Sequence, residues 1–134
     1  MELTDQKITT FITFEGKAEE AMIFYTSLFN DSEIKSISRY GEDGPGKDGS
    51  VQHALFSLNG QEFMCIDSVY KHEWDITPGV SLYVTCKNEE EVSRLFDKLS
   101  EDGEVFMPLN DYGFSKEFGW VSDKYGVSWQ LNLP

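Results

Sequence analysis

The sequence predicts an α+β fold made of two βαβββ modules, because its two halves share three patterns. Each half opens with a segment rich in β-branched and aromatic residues, at 8–14 and 80–86, which is typical of a strand. Each continues with apolar residues at helical spacing and closes with a turn glycine followed by an apolar segment. At an offset of 71 residues, Phe11 matches Leu82 and Leu28 matches Leu99. The repeat therefore predicts one supersecondary unit used twice.

The first module covers roughly residues 8–67. After its opening strand, the apolar residues Ala21, Phe24, Tyr25 and Leu28 follow one face of a helix over 17–29. A strand at 51–58 leads into Asn59-Gly60, which is the strongest short-range signal for a hairpin.

The second module covers roughly residues 80–132. Asn88 is a suitable N-cap for a helix whose first turn is rich in glutamate, which the helix dipole favours. The apolar residues of this predicted helix are Val92, Leu95, Phe96 and Leu99. The closing segment 125–132 aligns with 59–66 and predicts the last strand.

Strand alternation predicts which strand residues face away from the helices and line a cavity shared by the modules. The Asn59-Gly60 turn places Leu55 opposite Met64, so His53 and Glu62 join them on one face. On the last strand, Trp129 is expected under the helix and Gln130 in the cavity. In the opening strands we expect the more apolar alternate residues, which are Phe11, Thr13, Leu82 and Val84, on the helix side. The predicted ligand-binding residues are therefore Thr10, Ile12, Leu55, Glu62, Met64, Ser81, Tyr83 and Gln130.

His53 is the candidate catalytic residue, because an unperturbed imidazole titrates near neutral pH and can act as a general base. The alternative is a hydrogen-bonded residue of the cavity wall. The other histidine, His72, lies between the modules and is expected to be an exposed loop residue. Several aromatic residues either line the cavity or belong to the core: Tyr83, Phe114, Phe118 and Trp120.

Composition excludes several classes of function. The 134 residues fit a single domain over 1–134, and the net charge of −13 repels phosphate backbones and anionic lipid. We therefore expect neither nucleic acid nor a membrane as a partner. The chain shows no long apolar run and no apolar signal core at its N-terminus, so we expect a cytoplasmic protein. Cys65 and Cys86 are expected to be buried, reduced thiols.

The segment 44–49 matches the glycine pattern of dinucleotide-binding loops. That function requires the loop to open a helix, whose N-terminus then holds the phosphates. Here a strand at 51–58 follows instead, which indicates a hairpin loop. The same reasoning argues against a site for a methyl-donor nucleotide in this loop.

Several segments resemble the PhnB-like branch of the glyoxalase, or vicinal oxygen chelate, superfamily. They are FEGKAEEA at 14–21 with Phe24-Tyr25 and Leu28-Phe29, HALF at 53–56, NGQ at 59–61 and GWVSDKYGVSWQ at 119–130. The most specific is the closing pattern Asp-x-x-Gly-x-x-Trp-Gln. The resemblance covers residues 8–132 and implies a glyoxalase-like fold, a cupped cavity and a homodimer. This branch has carried a demethylubiquinone-methyltransferase label.

The resemblance also implies where metal ligands would stand in the metal-using members. Those positions here are Thr10, Met64, Ser81 and Gln130, of which only Gln130 is an ordinary ligand for a divalent ion. Catalytic metals bind about three His or carboxylate ligands. We therefore predict no metal and no cofactor.

The resulting prediction is a protein that binds a small organic molecule in a metal-free cavity, with His53 available for acid–base chemistry. Two alternatives remain. One is a metal-dependent lyase or isomerase of the glyoxalase type, with ligands supplied partly by a dimer mate. The other is a resistance-type protein that sequesters an aromatic drug.

Overall fold

The computed structural model describes residues 4–69 and 75–134. His72 lies outside the described residues, so the expectation of an exposed loop histidine is not addressed. The elements are, in chain order, β1 Thr10–Phe14, α1 Ala18–Leu28, β2 Glu33–Arg39, β3 Val51–Leu58, β4 Gln61–Asp67, β5 Ser81–Thr85, α2 Glu89–Ser100, β6 Glu104–Asn110, β7 Glu117–Ser122 and β8 Ser128–Leu133. The order βαβββ–βαβββ confirms the predicted α+β class.

The chain divides into two compact units, Met1–His72 and Glu73–Pro134. Each unit holds one four-stranded sheet, in the order β1-β4-β3-β2 for the first and β5-β8-β7-β6 for the second. In both sheets the first strand runs parallel to the last, and the remaining pairs are antiparallel. The assignment of residues 1–134 to one domain stays a prediction.

The hairpin between β3 and β4 follows from its two turn residues. Asn59 and Gly60 both have positive φ, 50° and 86°, as a type I′ turn requires. Leu58 then pairs with Gln61, and Leu55 pairs with Met64 as predicted.

One helix covers one face of each sheet. Helix α1 packs on β2, β3 and β4 through buried residues that include Ala21, Tyr25 and Leu28. Phe24, predicted to be on the same side, is only half-buried. Helix α2 packs on β6, β7 and β8 and buries Val92, Leu95 and Leu99.

The two helices begin in different ways. Asn88 caps α2 as predicted, since its Oδ1 accepts from the amide of Glu91 at 2.8 Å. Helix α1 has no side-chain cap at Lys17. Instead the amide of Ala18 donates to Oδ1 of Asp67, at the far end of β4, at 2.9 Å. The second carboxylate oxygen of Asp67 accepts from the amide of Val51 at 2.9 Å.

The predicted orientation of β1 is wrong by one residue. Thr10 pairs with Phe63 and Ile12 with Cys65, so Thr10 and Ile12 lie on the face that α1 covers. Phe11, which was expected there, pairs with Met64 on the opposite face and remains 47% exposed.

The β1–α1 connection explains this difference. By strand pairing, Phe14 corresponds to Cys86 in the second unit, and both side chains are buried. Three residues separate Phe14 from α1, whereas two separate Cys86 from α2. Gly16, with φ at 87°, accommodates the extra residue. The repeat offset is therefore 71 in the helices but 72 in the first strands.

Over residues 4–69 and 75–134, neither helix has the length and apolar character needed to cross a bilayer.

Candidate functional site

The face of each sheet that lies opposite its helix is called here the open face of that unit. On the first open face, strand pairing places Phe11 of β1 beside Met64, and Leu55 of β3 on the other side of Met64. On the second open face, it places Ser81 and Tyr83 of β5 beside Ser128 and Gln130 of β8. The predicted face is thus correct for Leu55, Met64, Ser81, Tyr83 and Gln130.

His53 is the most unusual group on the first open face. Its side chain lies beside the Phe11 ring, with 6.5 Å between the ring centroids. The residue is only 9% exposed, and its Nε2 is buried without a hydrogen-bond partner among the described residues. The alternative role for His53 is that of a cavity-wall residue held by a hydrogen bond. Nε2 makes no such bond to the described residues.

Glu62 also lies on the first open face, since it pairs with Ser57. One of its carboxylate oxygens accepts from the hydroxyl of Thr4, and the other bonds Nζ of Lys35 at 2.9 Å. These two contacts, that of Thr4 first, lower the pKa of Glu62. The carboxylate is therefore ionised and engaged by the protein itself.

A chain of hydrogen bonds fixes the polar groups of the second open face. The indole of Trp120 donates to Oγ of Ser128 at 2.8 Å, and Ser128 bonds Oγ of Ser81 at 2.7 Å. Nε2 of Gln130 donates to the same Ser81 oxygen at 3.2 Å. This orientation leaves Oε1 of Gln130 as an acceptor to which no described residue donates.

An aromatic group surrounds Phe118 on the same face. The ring centroids of Tyr83, Tyr112 and Phe114 lie 6.5, 6.2 and 5.1 Å from that of Phe118. Tyr83 is 56% exposed and Phe114 is 62% exposed, whereas Phe118 is buried. The rings of Tyr83 and Phe114 therefore present apolar surface to solvent rather than to the core.

Sequence reasoning missed three members of these faces. Tyr112 joins the aromatic group through a loop, and loop contacts have no periodicity. Ser36 on β2 and Asn132 on β8 each hold a buried oxygen, Oγ and Oδ1, without a hydrogen-bond partner on the described chain. Asn132 could have been found from Gln130, because residues two apart on a strand lie on the same face of the sheet. Ser36 lies next to a break in register at Ile34–Ser36, which alternation alone does not reveal.

The residues present do not fit the divalent metal that glyoxalase-type chemistry uses. Of the four mapped positions, Thr10 lies on the helix side of its sheet, the other face from Met64. Ser81 and Gln130 are bonded to each other. Within the described ranges, no group of three His, Cys, Asp or Glu side chains could hold a metal ion.

The glycine-rich segment 44–49 does not fit a nucleotide either. It connects β2 to β3 and opens no helix, as predicted. The backbone amides of Gly44 and Gly49 are already used, since they donate to the carbonyl oxygens of Gly41 and Tyr40. A phosphate would need those donors free.

The two cysteines are buried, as predicted, and are not joined to each other. Burial raises the pKa of Cys65 to about 12 and that of Cys86 to about 11. Both are therefore protonated at neutral pH and are poor nucleophiles.

Comparison with known proteins places the chain among relatives of matching length. The family described as 3-demethylubiquinone-9 3-methyltransferase matches residues 6–132. The structure of the PhnB protein from Bacillus cereus is 67% identical, with a TM-score of 0.95, over 96% of this chain and 100% of that one. Protein YjdN from Escherichia coli (strain K12) is 24% identical over 139 residues, which is 94% of each chain. A glyoxalase-related enzyme from Fulvimarina pelagi shares the fold at 14% identity and a TM-score of 0.60, over 96% of this chain and 89% of that one.

Proposed function

Because the chain belongs to the 3-demethylubiquinone-9 3-methyltransferase family, which is PhnB-like and has the glyoxalase-like fold, we propose that it binds a small organic molecule without a metal ion. The observation that carries the proposal is the exposed aromatic group beside Gln130. Binding an apolar molecule over these exposed rings removes apolar surface from water, which lowers the free energy of the complex. Stacked or edge-to-face aromatic contacts add about 0.5–1.5 kcal/mol beyond that burial.

The polar groups of the second open face support a ligand that carries a hydrogen-bond donor. Nε2 of Gln130 donates to Oγ of Ser81, so Oε1 of Gln130 is available to accept a hydrogen bond from a ligand. Oδ1 of Asn132 is buried and lacks a donor among the described residues. Two acceptors beside exposed rings favour an aromatic molecule with a hydroxyl or amino group.

A pair of naphthalene probes tests this proposal. We expect 2-naphthol to bind more tightly than 2-methoxynaphthalene, which lacks the donor, in titrations followed by NMR. Tyr83→Ala and Gln130→Ala should each weaken 2-naphthol binding about 3- to 10-fold, through a lost ring contact and a lost hydrogen bond. Ile23→Ala, which removes an exposed apolar side chain on α1, is the matched control and should change nothing. Equal affinities for all three variants and the parent would contradict the proposal.

A second candidate function concerns the first open face, where His53 is the candidate acid–base residue. The support is its buried Nε2 without a partner on the described chain. Leu55 and Met64 on the same face are proposed to contact the ligand of that face. Thr10 and Ile12 are not proposed again, because α1 covers their side of the sheet.

We further propose a homodimer in the cytoplasm. The dimer rests on the family resemblance, and the compartment rests on two unpaired cysteines, which suit reducing conditions. Light scattering at micromolar concentration should give twice the chain mass of 15.3 kDa. A value of one chain mass would contradict the dimer.

A further inference from the structure

One oxygen atom and one nitrogen atom on the first open face are both buried and share a further property. Oγ of Ser36 and Nε2 of His53 are both inaccessible to solvent and have no hydrogen-bond partner in the described part of the chain. A buried polar atom left without a partner destabilises the folded protein, because its hydrogen bonds to water are lost and not replaced. Folded proteins contain only a few such atoms, and a functional role is one of the explanations for them. Two on one face of one sheet therefore call for a common explanation.

Strand pairing places the two side chains next to each other. On the antiparallel pair β2–β3, Ser36 is opposite Leu55 and Ser38 is opposite His53. Ser36 and His53 are thus diagonal neighbours on the same face, a relation that separates the residues by about 7–8 Å. Side chains that stand on the same face across this distance can both approach one atom placed between them, at about 3 Å from each.

We propose that Ser36 and His53 together bind one oxygen atom, a carbonyl or a hydroxyl, of an uncharged and otherwise apolar small molecule. The inference deepens the proposed function but uses the first open face, not the aromatic group. Ser36 is its new member, as a residue that sets ligand specificity.

The chemistry of the neighbours defines this ligand class. Phe11 and Leu55 flank the pair with apolar surface. Lys35 reaches Glu62 at 2.9 Å and is neutralised there, so it does not serve as the counter-ion of an anionic ligand. Because an unpaired charge is very costly to bury, a neutral oxygen fits the pair better than a carboxylate or an ammonium group.

Ser36→Ala separates a binding role from a structural one. If the hydroxyl has no partner in the free protein, its removal should leave the Tm unchanged or raise it. In the same variant, binding of cyclohexanone should weaken about 3- to 10-fold, the loss expected for one neutral hydrogen bond. Ser38→Ala is the matched control, since Ser38 is on the same strand, opposite His53, and exposed.

The binding readout is the Nε2 resonance of His53 in protein with ¹⁵N-labelled histidine. Cyclohexanone and cyclohexanol should both shift it, whereas methylcyclohexane, which lacks the oxygen, should not. Ser36→Ala should reduce the response at a given probe concentration, and Ser38→Ala should not.

Three results would overturn the inference. The first is no response of His53 to either oxygen-bearing probe. The second is a lower Tm for Ser36→Ala with unchanged cyclohexanone affinity. The third is a bridging water that neither probe displaces. Loss of 2-naphthol binding in Tyr83→Ala is independent of all three, so the two proposals can fail separately.

Discussion

Replacing Trp129 with alanine is expected to lower the free energy of unfolding by about 3–5 kcal/mol, as a large-to-small change in the core. The side chain lies on the α2 side of β8, between Leu82 of β5 and Val121 of β7, and it is 1% exposed. Its indole also donates to Oδ2 of Asp123 at 2.9 Å. The substitution therefore removes both packing and a buried hydrogen bond.

The adjacent residue provides the matched control. Gln130 is half-buried on the open face, and its side-chain amide donates to Oγ of Ser81. Gln130→Ala should cost about 0.5–1.5 kcal/mol, the net value of one hydrogen bond. Denaturant midpoints measured side by side give the comparison. A larger loss for Gln130→Ala than for Trp129→Ala would show that the two faces of β8 are reversed.

Trp129→Phe divides the cost into its two parts. The phenyl ring retains most of the packing but cannot donate to Asp123, whose Oδ1 also accepts from the amides of Tyr125 and Val127. We expect a loss of about 1–3 kcal/mol, which is the penalty for a buried acceptor that loses its donor. A loss equal to that of Trp129→Ala would mean that the hydrogen bond, and not the ring volume, dominates.

The elements with local signals could be predicted from the sequence. The hairpin follows from Asn59-Gly60, and the start of α2 follows from Asn88, because the relevant contacts lie within four residues of the signal. The faces of β3, β4 and β8 were also predicted correctly, since the hairpin fixes the register of the first two and the repeat carries it to the third.

The orientation of β1 could not be obtained in the same way. Its partner is β4, which follows about fifty residues later, and alternation gives two faces without saying which one meets the helix. Hydrophobicity favoured Phe11 for the helix side, yet Phe11 lies beside His53. The positions of Ser36 and Tyr112 also depended on irregular features, a register shift and a loop.

Asp67 caps helix α1 from a distant part of the sequence, so this cap also had no local signal. Its removal is the second change expected to lower stability strongly. No residue next to α1 caps the helix, and the carboxylate that does so is 49 positions away in the sequence. Because the same carboxylate also accepts from Val51, it joins the start of α1 to the start of β3. Asp67 is buried, so solvent does not replace these bonds when the side chain is removed.

Asp67→Ala is therefore expected to cost about 2–5 kcal/mol, because it leaves two buried backbone amides without an acceptor. Asp67→Asn keeps one acceptor oxygen but turns an amide group toward the other N–H, so its cost should fall between that of alanine and zero. The matched control is Asn88→Ala, which removes a local and exposed cap and should cost about 1 kcal/mol. Denaturant midpoints give the three values, and hydrogen exchange at Ala18 and Val51 should be faster in Asp67→Ala but not in Asn88→Ala. Equal midpoints for the two alanine variants, with unchanged exchange at Ala18 and Val51, would contradict the role of Asp67 as the cap of α1.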